Sequence, residues 1–390
     1  MSKKAIALVD CDSFYASCEQ LKKPQLIGKA VCVMSGNDGC VVARSKEAKQ
    51  MGVKMGMPVF QAKKLFPDAI YISGNLGYYG EISTRVMGVL RDFSPTIETY
   101  SIDEAFVDLT GLRMLYKMSY LEMAKEIKKQ VWQKIGIPVS VGISTTKTLA
   151  KLASEKAKKR DGVYQIGFRD ITNELKNTEI IDIWGIGTNT ASLLNKYYIY
   201  TANDFIKLDN ELIKKIWGIK GIELKAELSG ESVYPIIEKS PLPKSIQKTA
   251  SFACFTNDFN YIKSSLNYHA HRACKKLRTS GLQAQVVEVM LRTKDFNILT
   301  SKKVLISATD WEFEIFSAIN KLLPDLYKEG IIYRSSGITL NGLTSSGETQ
   351  LSIFGDSEEN LKNEKLAKIW DKIEHKFGRG KLTAGFTGNF

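Results

Sequence analysis

Ala5-Ile-Ala-Leu-Val-Asp10 sets five apolar residues in a row and ends them on a carboxylate. So short and apolar a run reads as a strand buried on both faces, with Asp10 carried out at its end. It follows Lys3 and Lys4 and is too short for a signal-peptide core or a bilayer span, so a soluble cytoplasmic protein with no membrane association is expected. Further along, the stretch from Glu98 to Leu109 alternates and is rich in β-formers, with Ser101-Ile-Asp-Glu-Ala105 at its middle. Two short strands joined by a tight turn at 101–105 are expected there. If that hairpin pairs beside the first strand, Asp10, Asp103 and Glu104 converge at one sheet edge, which is costly until a divalent cation neutralises them. Hard oxygen donors suit Mg²⁺, and a pair of such ions can activate a hydroxyl and clamp a phosphate in line. Acidic residues in hairpin turns also commonly stand in water, so the surrounding residues must decide.

Working outward, Ser119 with Glu122 forms a capping-box pattern ahead of Leu121, Ala124, Ile127, Val131 and Ile135 at helical spacing. Val139 to Ile143 is another strand, and Ser144 is positioned to cap a helix in which Lys147, Lys151 and Lys158 fall within about 40° of one another, a basic stripe. An insertion at about 26–74 carries Gly36-Asn37-Asp38-Gly39, Gly52, Gly56 and Pro58 as turn signals. From 171 to about 235 the pattern is helical, with Ile183-Trp-Gly-Ile-Gly187 echoed by Ile216-Trp-Gly-Ile-Lys-Gly221. Pro235, Pro241 and Pro243 beside Lys239 and Lys244 mark a linker and a domain boundary near 240. Beyond it, 245–255 and 286–292 read as strands and 257–280 and 310–328 as helices, a second α+β unit. Residues 344–349 form a polar connector. The tail from Glu358 to Phe377 reads as a helix whose Leu366, Ile369, Ile373 and Phe377 need a surface to pack on, before Gly378-Arg379-Gly380.

The 390 residues suffice for two to four domains, and 44% hydrophobic with 25% charged residues excludes fibrous and disordered classes. Lysine and arginine exceed aspartate and glutamate by 13, and the pI is near 9.2, which favours a polyanionic partner. Six cysteines without a CxxC pair and three histidines favour neither a disulfide framework nor a zinc site.

Asp10-Cys-Asp-Ser-Phe-Tyr-Ala-Ser-Cys-Glu19 and Tyr100-Ser-Ile-Asp-Glu-Ala-Phe106 together resemble the two catalytic motifs of the Y-family, or translesion, DNA polymerases. The resemblance runs from residue 5 to about 390, and Asp38-Gly-Cys-Val-Val-Ala-Arg-Ser45 with Gly52-Val-Lys-Met-Gly56 is similar to the UmuC branch. It implies an α+β right hand: a ferredoxin-like palm (1–25 and 75–170), small fingers (26–74), a helical thumb with a helix-hairpin-helix (171–237), a linker (238–244), an α+β little finger (245–343), and a tail (344–390). It implies a template-directed polymerase for translesion synthesis in the response to DNA damage, joining deoxynucleotides to a primer 3′-hydroxyl with two Mg²⁺ ions per active site. Asp10 and Asp103 would bridge both metals, Glu104 would complete the site that activates the hydroxyl, and the Cys11 carbonyl would face the nucleotide's metal. Tyr15 would lie under the incoming sugar as a steric gate, with Phe14 beside it as a packing residue. Cys40 and Val42 would roof the nascent base pair, while Arg44, Lys46, Lys49 and Lys158 would meet the triphosphate. Lys46 and Lys49 stand where relatives use tyrosine and arginine, and a lysine gives phosphate a point charge without the bidentate fork. Gly185 and Gly187 would let backbone amides approach a DNA phosphate at a helix N-terminus. Lys248, Arg334 and the basic residues near them would ride on duplex backbone. Gln350-Leu-Ser-Ile-Phe354, covering Leu351, Ser352 and Ile353, is similar to the pentapeptide by which bacterial polymerases bind the sliding clamp. A processed UmuD dimer and a RecA filament are the further partners that branch implies.

Three alternatives compete: a DinB-type polymerase that works alone, a non-catalytic DNA-binding scaffold, and a nucleotidyl cyclase. Retention of Asp10, Asp103 and Glu104 argues against the scaffold. The thumb-like and little-finger-like units argue against the cyclase.

Overall fold

A computed structural model describes residues 4–36, 39–238, 241–346 and 357–377 of the chain. The turn signal at 37–38, residues 239–240 of the linker, the clamp-like segment 350–354 and the glycine stop at 378–380 lie outside the described residues. The chain divides into two compact units, Met1–Ser240 and Pro241–Phe390.

Among the described residues the first unit has eight strands: β1 (Ile6–Cys11), β2 (Val31–Met34), β3 (Val41–Arg44), β4 (Ile70–Ser73), β5 (Ile97–Thr99), β6 (Glu104–Asp108), β7 (Val139–Ser144) and β8 (Val163–Gln165). Five of them form one sheet in the order β5-β6-β1-β7-β8. β1 is its centre, antiparallel to β6 on one side and β7 on the other. Its unbroken apolar run is explained by burial on both faces. Ala7, Val9 and Cys11 join a core with Ile82 and Val86 of the Leu76–Arg91 helix and Ile127 and Val131 of the Tyr120–Ile135 helix. Ile6 and Leu8 face the opposite way, with Phe106 of β6 and Ala150 of the Lys147–Lys158 helix. Each such aliphatic side chain contributes roughly 1.5–3 kcal/mol by leaving water. Asp10 has the same parity as Ile6 and Leu8, so the strand's alternation sends its carboxylate to the side of the Lys147–Lys158 helix.

That helix is capped by Thr146, whose hydroxyl accepts the Leu149 amide, and not by Ser144. Ser144 is the last residue of β7 and its hydroxyl donates to the Ile166 carbonyl at 2.9 Å. The Ser119–Glu122 capping box is present and opens the Tyr120–Ile135 helix. A separate three-stranded sheet, β3-β2-β4, has its own small core of Cys32, Val41, Ala48, Val53, Ala62 and Ala69. Residues 171–228 are helical segments around Ile183, Leu194, Phe205, Ile213 and Leu224.

The second unit has β9 (Ile246–Thr256), β10 (Leu282–Thr293), β11 (Ile298–Thr309) and β12 (Tyr333–Ser345) in an antiparallel sheet ordered β11-β10-β12-β9. Its core is shared with the Phe259–Thr279 and Glu312–Leu326 helices. The sequence reading names two of these strands and omits β11 and β12. The tail helix spans Ser357–Phe377. The face it buries is not the one that apolar spacing picks: Leu366, Ile369 and Phe377 are 45%, 52% and 58% exposed, while Ala367, Trp370 and Glu374 are buried. Its Asp371 and Glu374 carboxylates reach Arg278 and Lys275 of the Phe259–Thr279 helix. Charge pairing, with Trp370 stacked on His271, therefore fixes which side of this helix packs.

Candidate active site

Pairing of β1 with β6 sets Asp10 directly opposite Glu104. Antiparallel partners sit within reach of one another on one face, so two acidic side chains meet where the strands run out of apolar residues. Burial, helped by the neighbouring Glu104 carboxylate, pushes the Asp10 carboxyl up to about 7 against the pull of Lys158.

Asp103 is held differently. Ser101 Oγ donates to Asp103 Oδ1 at 2.5 Å and accepts the amides of Asp103 and Glu104 at 3.3 and 3.1 Å, which closes the turn before β6. The Asp103 carbonyl accepts the Cys11 amide at 2.9 Å, tying that turn to the end of β1. Of the three carboxylates expected to converge, Asp10 and Glu104 face each other across the paired strands, and Asp103 accepts from Ser101 on the adjoining turn. Among the described residues no three His, Cys, Asp or Glu side chains are grouped as a metal-holding set. Asp12, which the sequence reading leaves outside the catalytic group, accepts from the Ser140 hydroxyl at 2.8 Å.

The basic stripe on the Lys147–Lys158 helix lies over these acids. Lys158 donates to Asp10 Oδ2 at 2.9 Å and to Glu155 at 2.7 Å. Burial would lower the Lys158 ammonium pKa, but Asp10 and Glu155 outweigh it and raise the value. Lys151 donates to both Glu104 oxygens, at 3.0 and 2.9 Å. Lys147 is buried and pairs with Glu98 of β5, whose carboxylate also accepts the Ile237 amide at 2.7 Å. Sequence reasoning finds the stripe but not its partners, and it omits Lys151 and Glu98 from the site. The available signal is the helical phase of the three lysines set beside strands that end in acids.

Tyr15 lies on α-helical backbone directly after β1, in the helix Phe14–Lys22. Its ring stacks on Tyr79 with centroids 4.6 Å apart and planes 19° apart. Tyr79 is fully buried and donates to Glu19 Oε1 at 2.7 Å. Phe14 is buried in the core of the first unit. Cys40 bridges to Pro58, and Val42 and Arg44 are half-buried on β3. Arg44 Nε is buried without a hydrogen-bond partner. Lys46 and Lys49 are exposed on the short helix that follows, Lys46–Gln50.

Gly185 takes φ +90°, and Gly187 precedes the Thr188–Asn195 helix with no side-chain cap. A Cβ at either position would meet nothing within 4 Å, so the backbone there is open to close approach from outside. In the echo of this motif, Gly221 instead packs against Ile213, where a Cβ would come within 2.6 Å of a side-chain methyl. In the second unit Lys248 is half-buried on β9, opposite Ile338. The Arg334 guanidinium lies 3.8 Å from the Phe296 ring centroid and 5.5 Å from that of Phe255. No helix among the described residues is long and apolar enough to cross a membrane.

Paired strand-end acids, aromatic residues opening the helix after the first of them, and accompanying helical and α+β units define a right-hand polymerase of the Y-family type. The chain matches the impB/mucB/samB family over residues 9–155 and that family's C-terminal domain over residues 243–353. It belongs to this family and is a UmuC-type translesion DNA polymerase. It is 34% identical to Protein UmuC of Salmonella typhimurium, over 96% of this chain and 92% of that one. It is 32% identical to Protein SamB of Salmonella typhimurium, over 96% and 91%, and 31% identical to DNA polymerase IV of Pelotomaculum thermopropionicum, over 97% and 94%. Among solved structures it is similar to a Y-family DNA polymerase chimera of Dbh and Dpo4, with a TM-score of 0.74 and 27% identity over 87% of this chain and 99% of that one. It is also similar to DinB from Sulfolobus solfataricus, with a TM-score of 0.57 and 27% identity over 86% and 98%.

Proposed function

We propose that the chain adds deoxynucleotides to a primer opposite damaged template bases, with Asp10, Asp103 and Glu104 as the ligands of two Mg²⁺ ions. The observation that carries this reading is the register of Asp10 on Glu104, which brings two carboxyl groups together at one strand end. Hard carboxylate oxygens at one strand end fit a divalent cation, although Lys158 and Lys151 are now paired with them, and Asp103 on the adjoining turn would complete the set. When bound, such ions supply the positive charge that activates the primer hydroxyl and steadies the leaving phosphate. A ternary complex of the related Dbh polymerase supports primer-template DNA and a nucleotide as partners.

The chain's own residues do the rest of the work. Tyr15, backed by Tyr79, forms the plate under the sugar, and a ribose 2′-hydroxyl strikes it where deoxyribose clears it. Lys158 and Arg44, whose Nε has no hydrogen-bond partner, hold the triphosphate, with Lys46 and Lys49 adding exposed positive charge. Cys40 and Val42 are small, so a bulky template base is tolerated above them. Residues 1–25 and 75–170 act as palm, 26–74 as fingers, 171–237 as thumb and 245–343 as little finger. The open backbone at Gly185 and Gly187 holds a DNA phosphate, and Lys248 and Arg334 hold others. Segment 350–354 binds a sliding clamp; stimulation by a clamp that survives its deletion refutes that role. A processed UmuD dimer and a RecA filament complete the assembly.

The test is Asp103→Ala, which abolishes primer extension while binding of primer-template DNA persists; parental extension by this variant ends the assignment. The polymerase IV relatives favour a second reading in which the chain works alone. Extension that gains nothing from a processed UmuD partner selects it.

A further inference from the structure

Lys151 has the same helical phase as Lys147 and Lys158, yet its surroundings differ from theirs. Its ammonium spans both oxygens of Glu104 at 3.0 and 2.9 Å. It also lies 5.0 Å from the Tyr100 ring centroid and 5.6 Å from that of Trp184. Those two rings meet edge to face at 5.5 Å and 89°, so they form two walls of a box around the cation. Lys158 has Glu155 to keep if it leaves Asp10. Among the described residues, the contacts of the Lys151 ammonium besides Glu104 are the two rings.

A carboxylate whose two oxygens both accept from one ammonium has its inward lone pairs committed. A divalent cation approaching Glu104 therefore meets a positive charge already seated there. Both charges attract the same carboxylate and repel each other, which makes the lysine a competitor and not a co-ligand. We propose that Lys151 is an internal counter-ion that holds Glu104 in the metal-free protein and yields it to the incoming divalent cation, with the Tyr100 and Trp184 rings receiving the freed ammonium. This rests on the reading of Glu104 as a metal ligand. Lys151 is thus a positioning residue: it keeps Glu104 extended and ready while the site is empty. Trp184 belongs to the Ile183-Trp-Gly-Ile-Gly187 segment, so filling the site leaves a positive charge unpaired beside the turn proposed to hold DNA phosphate.

The experiment is a Mn²⁺ titration of the full chain without DNA, followed by the electron paramagnetic resonance signal of the free ion. The parent is compared with Lys151→Met, Lys151→Arg and Glu104→Gln. Methionine fits between aromatic rings without charge, and Lys151→Met is expected to bind Mn²⁺ about threefold to tenfold more tightly than the parent. Lys151→Arg keeps the charge and should stay within about twofold of the parent, a rescue that a purely steric role would not give. Glu104→Gln should bind distinctly more weakly. Unchanged or weaker binding by folded Lys151→Met, alongside weakened Glu104→Gln, overturns the counter-ion and leaves the metal ligand standing. Glu104→Gln equal to the parent overturns both. Where circular dichroism shows Lys151→Met unfolded, lysine-directed labelling of the parent decides: saturation with Mg²⁺ should raise modification of Lys151 at least about twofold relative to the exposed Lys125, and no rise overturns the proposal.

Discussion

Tyr15 stacks on Tyr79, and Tyr79 is itself fixed by its hydrogen bond to the buried Glu19. A ring supported in this way cannot swing aside cheaply, because moving it would break a stacked pair worth roughly 0.5–1.5 kcal/mol beyond its buried area. Tyr15→Ala is therefore expected to admit ribonucleotides, lowering the ratio of deoxyribonucleotide to ribonucleotide insertion efficiency by about tenfold or more; an unchanged ratio would count against the gate. Residue by residue, the site was legible where strand parity alone determines direction. Asp10 and Glu104 follow from two runs of alternating character that pair. The hydrogen bond from Ser101 to Asp103 was not legible, because hydroxyl rotors leave no periodic trace. Lys151 was legible as part of the basic stripe but its partner was not: a lysine on an amphipathic helix has the same pattern whether it faces water or a half-buried glutamate.

At the scale of elements, the site depends on how closely the Lys147–Lys158 helix approaches β7. Gly142 of β7 sits beneath it, and a Cβ there would fall 2.0 Å from the Ser154 amide nitrogen and 2.4 Å from the Ala150 carbonyl oxygen. Both atoms are helical backbone, so the helix itself must move. Gly142→Ala is expected to cost about 1–3 kcal/mol or more, read as a lower melting temperature, and to weaken extension by lifting Lys151 and Lys158 from their acids. A variant with parental stability would show that the helix is not seated so tightly. The same helix shows why a cap is hard to assign from sequence: Ser144 and Thr146 are both suitable, and only the length of β7 decides between them. The tail helix is a parallel case. Its apolar spacing is genuine but points mostly outward, because Asp371 and Glu374 pair with the partly buried Arg278 and Lys275 on the neighbouring helix and turn it about its axis. Periodicity measures where apolar residues are, not what the neighbouring surface offers them.

For the whole molecule, two units with separate cores predict two unfolding transitions. The second should depend on pH through His271. Its ring nitrogens face Glu312 at 3.1 Å and Glu374 at 3.0 Å, and its ring stacks on Trp370. Arg278, Lys275 and Asp371 complete the cluster, so a protonated His271 makes three cations against three anions. Burial would lower the histidine pKa, but the two carboxylates overcome it and raise the value above its ordinary 6.5. With the folded value raised, the stabilisation is fully present below about pH 6.5 and is lost as pH rises through the folded value. The transition of the second unit should therefore fall as pH climbs from 6 toward 9, with each ~1 kcal/mol shifting it by roughly 2–4 °C in a unit of this size. Replacing His271 by glutamine, which carries no titrating proton, should flatten that dependence and leave the first transition where it was. Calorimetry on parent and variant across this range measures both. A second transition that declines equally in the two proteins would mean that the docked tail helix does not feel this proton.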